Sequence, residues 1–145
     1  MASLQKFIEA QDSAHTGYAT ALQEIKQGRK TSHWIWYIFP QIQGLGYSYN
    51  ARYYALEDIE EAKAYLKNEM LNHRLREITE ALLSHKEESV QSILGGIDAI
   101  KICSCMTLFN AVSPNDIFKQ VIDTFYNGKL DNITLSIITP RQHEQ

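Results

Sequence analysis

The sequence is poor in the residues that cross-link small domains and that interrupt helices. Its 145 residues include two Cys, three Pro and seven Gly. Cys103 and Cys105 are separated by one residue, a spacing that disfavours a disulfide between them in regular structure, and the chain has no further cysteine. Residues 1–10 show no charged stretch followed by an apolar run, the pattern of a secretion signal. We therefore expect a reduced, cytoplasmic protein.

The sequence also lacks the patterns that three kinds of partner require. No stretch approaches the roughly 18–20 consecutive apolar residues that cross a bilayer, so we expect no membrane span. With 14 Lys and Arg against 17 Asp and Glu, the net charge of −3 argues against a broad phosphate-binding face for nucleic acid. The five His and two Cys show no metal-ligand spacing, so we expect no metal and no cofactor. The partners that stay open are a small molecule, another protein and a second copy of this chain.

What the chain does contain is enough apolar sequence for one packed core. Hydrophobic residues make up 44% of the chain, which suits a single domain over residues 1–145. Apolar residues recur at spacings of three and four, as in Leu71, Leu75, Ile78 and Leu82. This periodicity predicts an all-α, mainly helical domain.

Residues that favour helix starts precede several of these periodic segments. We expect N-caps at Asp58, at Asn68 or Asn72, at Asp98 and at Asp131. Each has a short polar side chain that can accept a hydrogen bond from the first turn of a helix.

Two segments leave the fold class partly open. Residues 34–39 and 133–138 are apolar runs rich in aromatic or β-branched side chains, which also suit strands. A short strand pair around these segments is therefore an alternative to two short helices.

Aromatic residues are concentrated in one segment with polar neighbours. Eight of the fifteen Phe, Trp and Tyr lie in residues 34–54. In one interpretation, Trp34 and Trp36 form the wall of a ligand site, where rings stack on a ligand and nearby groups supply charge or a proton. In the other, the aromatic rings fill the core and the neighbouring glycines make a turn. The polar side chains of this segment and its flanks are Lys30, His33, Gln41 and Ser48.

A second group of polar residues is spaced as one ridge of a helix. Asp98, Lys101, Ser104 and Thr107 follow each other in steps of three. On an otherwise apolar helix, such a ridge could face a polar pocket in which Lys101 neutralises a phosphate or activates Ser104. The alternative is an N-cap, a surface ion pair and two hydroxyls bonded to the preceding turn. The residues alone leave both open.

These residues resemble a bacterial family known as domain of unknown function 1810. The resemblance rests on the string His33-Trp34-Ile35-Trp36-Tyr37-Ile38-Phe39-Pro40-Gln41 with Gly44-Leu45-Gly46, and continues through Gly95, Asp98, Lys101 and Ser104. It implies a small, mostly helical bacterial cytoplasmic protein, and it implies no established activity. A looser likeness to helical domains that handle NAD and ADP-ribose derivatives comes without a catalytic Glu that can be aligned.

Our leading functional hypothesis is that the two polar groups converge into one pocket. The pocket would bind a small anionic or nucleotide-like ligand of the NAD or ADP-ribose type, and hydrolysis of that ligand is left open. Indole rings would stack on the ligand, glutamine amides would hydrogen-bond it, and ammonium groups would neutralise it. The alternative is a non-catalytic protein-interaction or homodimerisation module with an aromatic patch. The candidates for ligand binding are Gln11, Lys30, Trp34, Trp36, Gln41, Ser48, Ser104 and Thr107, and those for catalysis are His33, Asp98 and Lys101.

Overall fold

Most of residues 4–139, the part of the chain that the computed structural model describes, is helical. Ten helices and no strand are found in that range, so the prediction of an all-α fold is confirmed. The helices are α1 (Gln5–Gln11), α2 (Tyr18–Lys26), α3 (Ile35–Ile38), α4 (Tyr49–Tyr53), α5 (Ile59–Lys67), α6 (Glu69–Leu83), α7 (Val90–Leu94), α8 (Gly96–Val112), α9 (Ile117–Phe125) and α10 (Asn132–Ile138).

The alternative of a strand pair around residues 34–39 and 133–138 is wrong. The first segment holds α3 and the second lies in α10. The Asp131 side chain accepts a hydrogen bond from the Thr134 amide and starts α10, which gives the apolar run a helical start that propensity alone does not show. An isolated parallel bridge between Ile42 and Leu56 is all the β-pairing that residues 4–139 contain.

Capping side chains precede several of the longer helices, and one of the predicted N-caps is wrong. Asp58 starts α5 and Asn68 starts α6, as predicted, and each accepts a hydrogen bond from a backbone amide three residues on. Asp98 does not cap α8, because that helix begins two residues earlier, directly after Gly95. Gly95 has a φ of 87°, a conformation that lets α7 end and α8 begin without a linker. Asp98 therefore lies in the first turn of α8, where a negative charge favours the helix dipole.

The α8 helix runs through the centre of the molecule. It packs against α5, α7, α9 and α10. Its residues Ile102, Cys105, Met106, Leu108 and Phe109 have no exposed surface, as expected for a helix that is apolar on most sides. The polar residues of α8 therefore need partners from neighbouring segments.

Backbone hydrogen bonds join the two ends of the segment between α3 and α5. The Gln43 amide donates to the Leu56 carbonyl over 2.8 Å, and the Leu56 amide donates to the Gln41 carbonyl over 2.9 Å. These two bonds close the loop that contains α4. The loop is thereby held beside the first turns of α8 and α10, where the candidate site lies.

No helix of the described residues is long and apolar enough to cross a membrane.

Candidate functional site

The two polar groups identified in the sequence are in contact. The Lys101 ammonium lies 5.2 Å from the centre of the Trp36 ring, within the range of a cation–π interaction. Asp98 lies between two ammonium groups, with Oδ2 at 2.8 Å from Lys30 Nζ and Oδ1 at 3.7 Å from Lys101 Nζ. Residues 30–36 and 98–101, which are far apart in the sequence, thus form one charged cluster.

Next to this cluster is a cavity of about 220 Å³, which we call the polar cavity. It lies between the loop that follows α3 and the first turns of α8 and α10. Exposed isoleucines lie at its edge: Ile97 is 73% exposed and Ile133 is 62% exposed. A mostly apolar lining with a few polar side chains is the usual composition of a small-molecule site. The polar side chains that line it are Gln41, Lys101, Ser104 and Asp131.

A further cavity of about 420 Å³ adjoins the first, and we call it the second cavity. The two have Ile100, Asp131 and Ile133 in common. Burial, together with the nearby Asp131 charge, raises the pKa of the Cys103 thiol, so this group is a weak nucleophile at neutral pH. The further residues that line the second cavity are Gln91, Ala99, Tyr126, Lys129, Leu130 and Asn132.

Lys30 and His33 do not line the polar cavity, and both line a separate cavity. The Lys30 side chain is 7% exposed. Its ammonium donates to the Ser32 carbonyl, pairs with Asp98 and lies 4.8 Å from the centre of the Trp34 ring. The predicted role of Lys30 in meeting a ligand's charge is therefore corrected, since that charge is neutralised by Asp98. His33 is exposed and lines a separate cavity at the start of α8.

The two tryptophans occupy different environments, and neither offers a free face for stacking. Trp34 has no exposed surface, and its Nε1 donates to Glu24 Oε1 over 2.9 Å, so its predicted contact with a ligand is corrected. Trp36 is half-buried and carries the Lys101 ammonium over its ring. The space beside Trp36 and Gln41 is about 10 Å³, which is too small for a ligand ring. Trp36 therefore positions Lys101 rather than a ligand.

Glu24 is the residue that holds the tryptophan segment in place, and sequence reasoning missed it. Its carboxylate accepts hydrogen bonds from the Thr31 and Ser32 amides at 2.8 and 3.0 Å, from Ser32 Oγ at 2.6 Å and from Trp34 Nε1 at 2.9 Å. Burial alone raises the pKa of this carboxyl, but the bonds from Ser32, Thr31 and Trp34 outweigh burial and lower the pKa to about 2. The available signal was an acidic residue next to Ile25 on the apolar face of α2.

Gln11 is a core residue rather than a ligand contact, which corrects its predicted role. It is 3% exposed and lies on α1. Its amide nitrogen donates to the Tyr37 carbonyl over 2.8 Å and to the Tyr65 hydroxyl over 3.1 Å. Its amide oxygen accepts from Arg74 over 3.2 Å. All of these partners belong to the fold, so Gln11 links α1 to α3, α5 and α6.

Replacing Gln11 with alanine should lower the free energy of unfolding by about 2 kcal/mol, because it removes the donor to two buried acceptors. Urea denaturation followed by circular dichroism would measure this change. The same variant should keep any ligand affinity of the wild type. A loss of ligand affinity at unchanged stability would show that Gln11 contacts the ligand after all.

The hydroxyl residues of the two groups act mainly as internal acceptors and donors. Ser48 is exposed and caps α4 by accepting from the Ala51 amide over 3.1 Å. Thr107 is buried, and its Oγ1 accepts from the Asp131 amide over 2.9 Å. Ser104 Oγ lies 3.2 Å from Asp131 Oδ2 and 3.3 Å from the Ile100 carbonyl, so this hydroxyl is directed to a carboxylate and to the preceding turn rather than to Lys101. Thr107 and Ser104 together fix Asp131, whose place in the cavity was not predicted.

The exposed aromatic side chains are tyrosines that follow the tryptophan segment. Tyr47 is 90% exposed, Tyr49 is 69% exposed and Tyr53 is 44% exposed. Tyr49 and Tyr53 stack with ring centres 5.5 Å apart. An interaction surface of the kind considered above would therefore use these tyrosines, because Trp34 is inaccessible.

Neither a metal cluster nor a disulfide is found in residues 4–139. No group of three or more His, Cys, Asp or Glu in that range could hold a metal ion. Both cysteines are free thiols.

Comparison with known proteins yields one family and one solved structure. A family model described as "Protein of unknown function (DUF1810)" matches residues 1–138. The chain is similar to the conserved hypothetical protein Rv1873 from Mycobacterium tuberculosis, whose crystal structure was determined at 1.38 Å. The two are 35% identical, with a TM-score of 0.90 over 95% of this chain and 97% of that chain. No curated protein was found to match.

Proposed function

Because the chain belongs to the DUF1810 family, whose description names no activity, we propose its function from the site: the protein binds a small anionic, nucleotide-like ligand in the polar cavity. The observation that carries the proposal is the convergence of Gln41 with Lys101 and Ser104. Gln41 comes from the loop after α3 and the other two from α8, and all three line one cavity beside the Trp36–Lys101 contact.

Lys101 supplies the charge that attracts an anion. Asp98 forms its short ion pair with Lys30, at 2.8 Å, and lies 3.7 Å from Lys101. Lys30 therefore neutralises much of the Asp98 charge. No residue in the range 4–139 accepts a hydrogen bond from Lys101 Nζ, so its N–H groups are available to a ligand. The ring of Trp36 holds the ammonium in position without neutralising it.

The apolar residues around the cavity support binding of a small molecule. Leu45 and Ile97 stand at its edge, and Ile97 is among the most exposed apolar side chains of the described residues. Covering such side chains with a ligand releases water and strengthens the electrostatic contact beneath. We restrict the proposal to binding, because His33 lies outside the polar cavity and Asp98 is held by two ammonium groups.

Replacing Lys101 with methionine should weaken binding of adenosine monophosphate (AMP) at least 10-fold, since a charge-assisted hydrogen bond contributes about 1.5–3 kcal/mol. Isothermal titration calorimetry with AMP, ADP-ribose and inorganic phosphate as probes would measure the change. Lys119→Met is a matched control, because Lys119 pairs with Asp123 on α9 and lines neither cavity. Its affinity should stay within about twofold of the wild type.

Two results would overturn the proposed function. One is a wild-type protein that binds none of the three probes at millimolar concentration. The other is equal weakening by Lys101→Met and Lys119→Met, which would show a general effect of net charge rather than a site.

A further inference from the structure

We propose that the ligand is a ribonucleotide that spans both cavities, with the free carboxylate oxygen of Asp131 accepting hydrogen bonds from its ribose hydroxyls. This inference rests on the proposed function. It adds the class of the ligand and a specificity-determining residue that the sequence had indicated only as a helix cap.

The size of the cavities favours a ligand that extends beyond the polar one. The polar cavity holds about 220 Å³, which is below the range of about 300–1000 Å³ for ligand pockets. The adjoining second cavity holds about 420 Å³, and the two together fall inside that range. Ile100, Asp131 and Ile133 line both cavities. A ligand that occupies both therefore places its middle part at these residues.

One carboxylate oxygen of Asp131 accepts hydrogen bonds from the protein, and the other accepts none from the described residues. Its Oδ2 accepts from the Thr134 amide at 2.9 Å, from Thr134 Oγ1 at 2.5 Å and from Ser104 Oγ at 3.2 Å. Its backbone amide donates to Thr107 Oγ1. No residue of the described range donates to Oδ1. The carboxylate is therefore oriented in advance, and Asp131, which lines both cavities, keeps one acceptor that no described residue uses.

A negatively charged acceptor at this place selects the chemistry of the ligand's middle part. It repels a phosphate and favours a group with hydrogen-bond donors. Ribose hydroxyls are such donors, and acidic side chains bind them in dinucleotide-binding folds. The order of groups in a nucleotide then matches the site. The phosphate lies at Lys101, the ribose at Asp131, and the base between Ile100 and the other apolar side chains of the second cavity.

The test compares AMP with 2′,3′-dideoxyadenosine monophosphate, which lacks both ribose hydroxyls. We expect the wild-type chain to bind AMP about 10- to 100-fold more tightly in calorimetry, the effect of a hydrogen bond to a charged acceptor. Asp131→Asn keeps a side chain that caps helices well but loses the anionic oxygen. In this variant we expect the preference for AMP to fall below about threefold.

The controls separate this inference from the proposed function. Asp131→Ser also keeps a capping side chain but is too short to reach the ligand, and it should lose the preference in the same way. Equal binding of the two nucleotides by the wild type, with affinity still lost in Lys101→Met, would overturn the inference and leave the proposed function standing. Preference retained in Asp131→Asn and Asp131→Ser would also overturn it. The wild-type comparison needs no variant, so it decides the question even if both variants fail to fold.

Discussion

Replacing Glu24 with alanine is expected to lower the free energy of unfolding by about 3–5 kcal/mol. The carboxylate is 7% exposed and accepts four hydrogen bonds, from two backbone amides, the Ser32 hydroxyl and the Trp34 indole. Removing it leaves these donors without their acceptor in a largely buried place, and each unsatisfied donor costs about 1–3 kcal/mol. The loss is not fully additive, because the segment can shift and admit water.

Urea denaturation would measure this loss, with two variants for comparison. Glu24→Gln keeps one acceptor oxygen and should lose about half as much. Glu80→Ala removes an exposed carboxylate from α6 and should change stability by less than about 0.5 kcal/mol. A Glu24→Ala protein as stable as Glu80→Ala would show that the four bonds contribute little.

The effect of Glu24 should also depend on pH in a defined direction. Its pKa is lowered from an ordinary value of 4.5 to about 2, so the folded state favours the ionised form. The stabilisation is complete above pH 4.5 and is lost as the pH falls through about 2, a difference of about 3 kcal/mol. The stability gap between the wild type and Glu24→Gln should therefore narrow over this interval. A gap that stays constant would contradict the lowered pKa.

Replacing Trp34 with alanine should cost about 3–5 kcal/mol of stability, the loss expected for a large buried aromatic side chain. Trp34 has no exposed surface, and its ring centre lies 6.3 Å from that of Phe39. The substitution also removes the indole donor to Glu24 and the ring beneath the Lys30 ammonium. Thermal and urea denaturation would both show the change.

Trp34→Phe separates the ring from its donor. It keeps the aromatic packing and loses the bond to Glu24, so it should cost about 1–2 kcal/mol. Lys101→Met should leave stability nearly unchanged, because its ammonium has partial contact with solvent and no hydrogen bond within the described residues. If Trp34→Ala were as stable as Lys101→Met, the assignment of Trp34 to the core would be wrong.

The helices could be predicted from the sequence because their signals are local. Apolar periodicity marks α6, and the caps Asp58 and Asn68 act within one turn of their helices. Asp98 was misplaced because the start of α8 depends on the backbone of Gly95, and the two glycines before Asp98 resemble a loop in sequence. The boundary follows the backbone conformation of Gly95 rather than the strongest capping residue.

The candidate site could be predicted only in part, because its electrostatics arise from contacts distant in sequence. The spacing indicated that Lys101 and the tryptophan segment could meet, and they do. The spacing did not predict the ion pair between Asp98 and Lys30. It also did not predict the hydrogen bond from the buried Trp34 indole to Glu24. The sequence predicted Asp131 only as a helix cap. Its position in a cavity could not be predicted, because two other segments form that cavity.

The hydrogen bonds between α8 and Asp131 affect local unfolding of α10. Thr107 accepts from the Asp131 amide and Ser104 contacts its carboxylate, so the first turn of α10 is anchored to the central helix. Terminal helices usually fray independently of the core. Here the amide protons of Asp131 and Thr134 should exchange with solvent only in openings that also separate α10 from α8. The wall shared by the two cavities thus belongs to the same cooperative unit as the core.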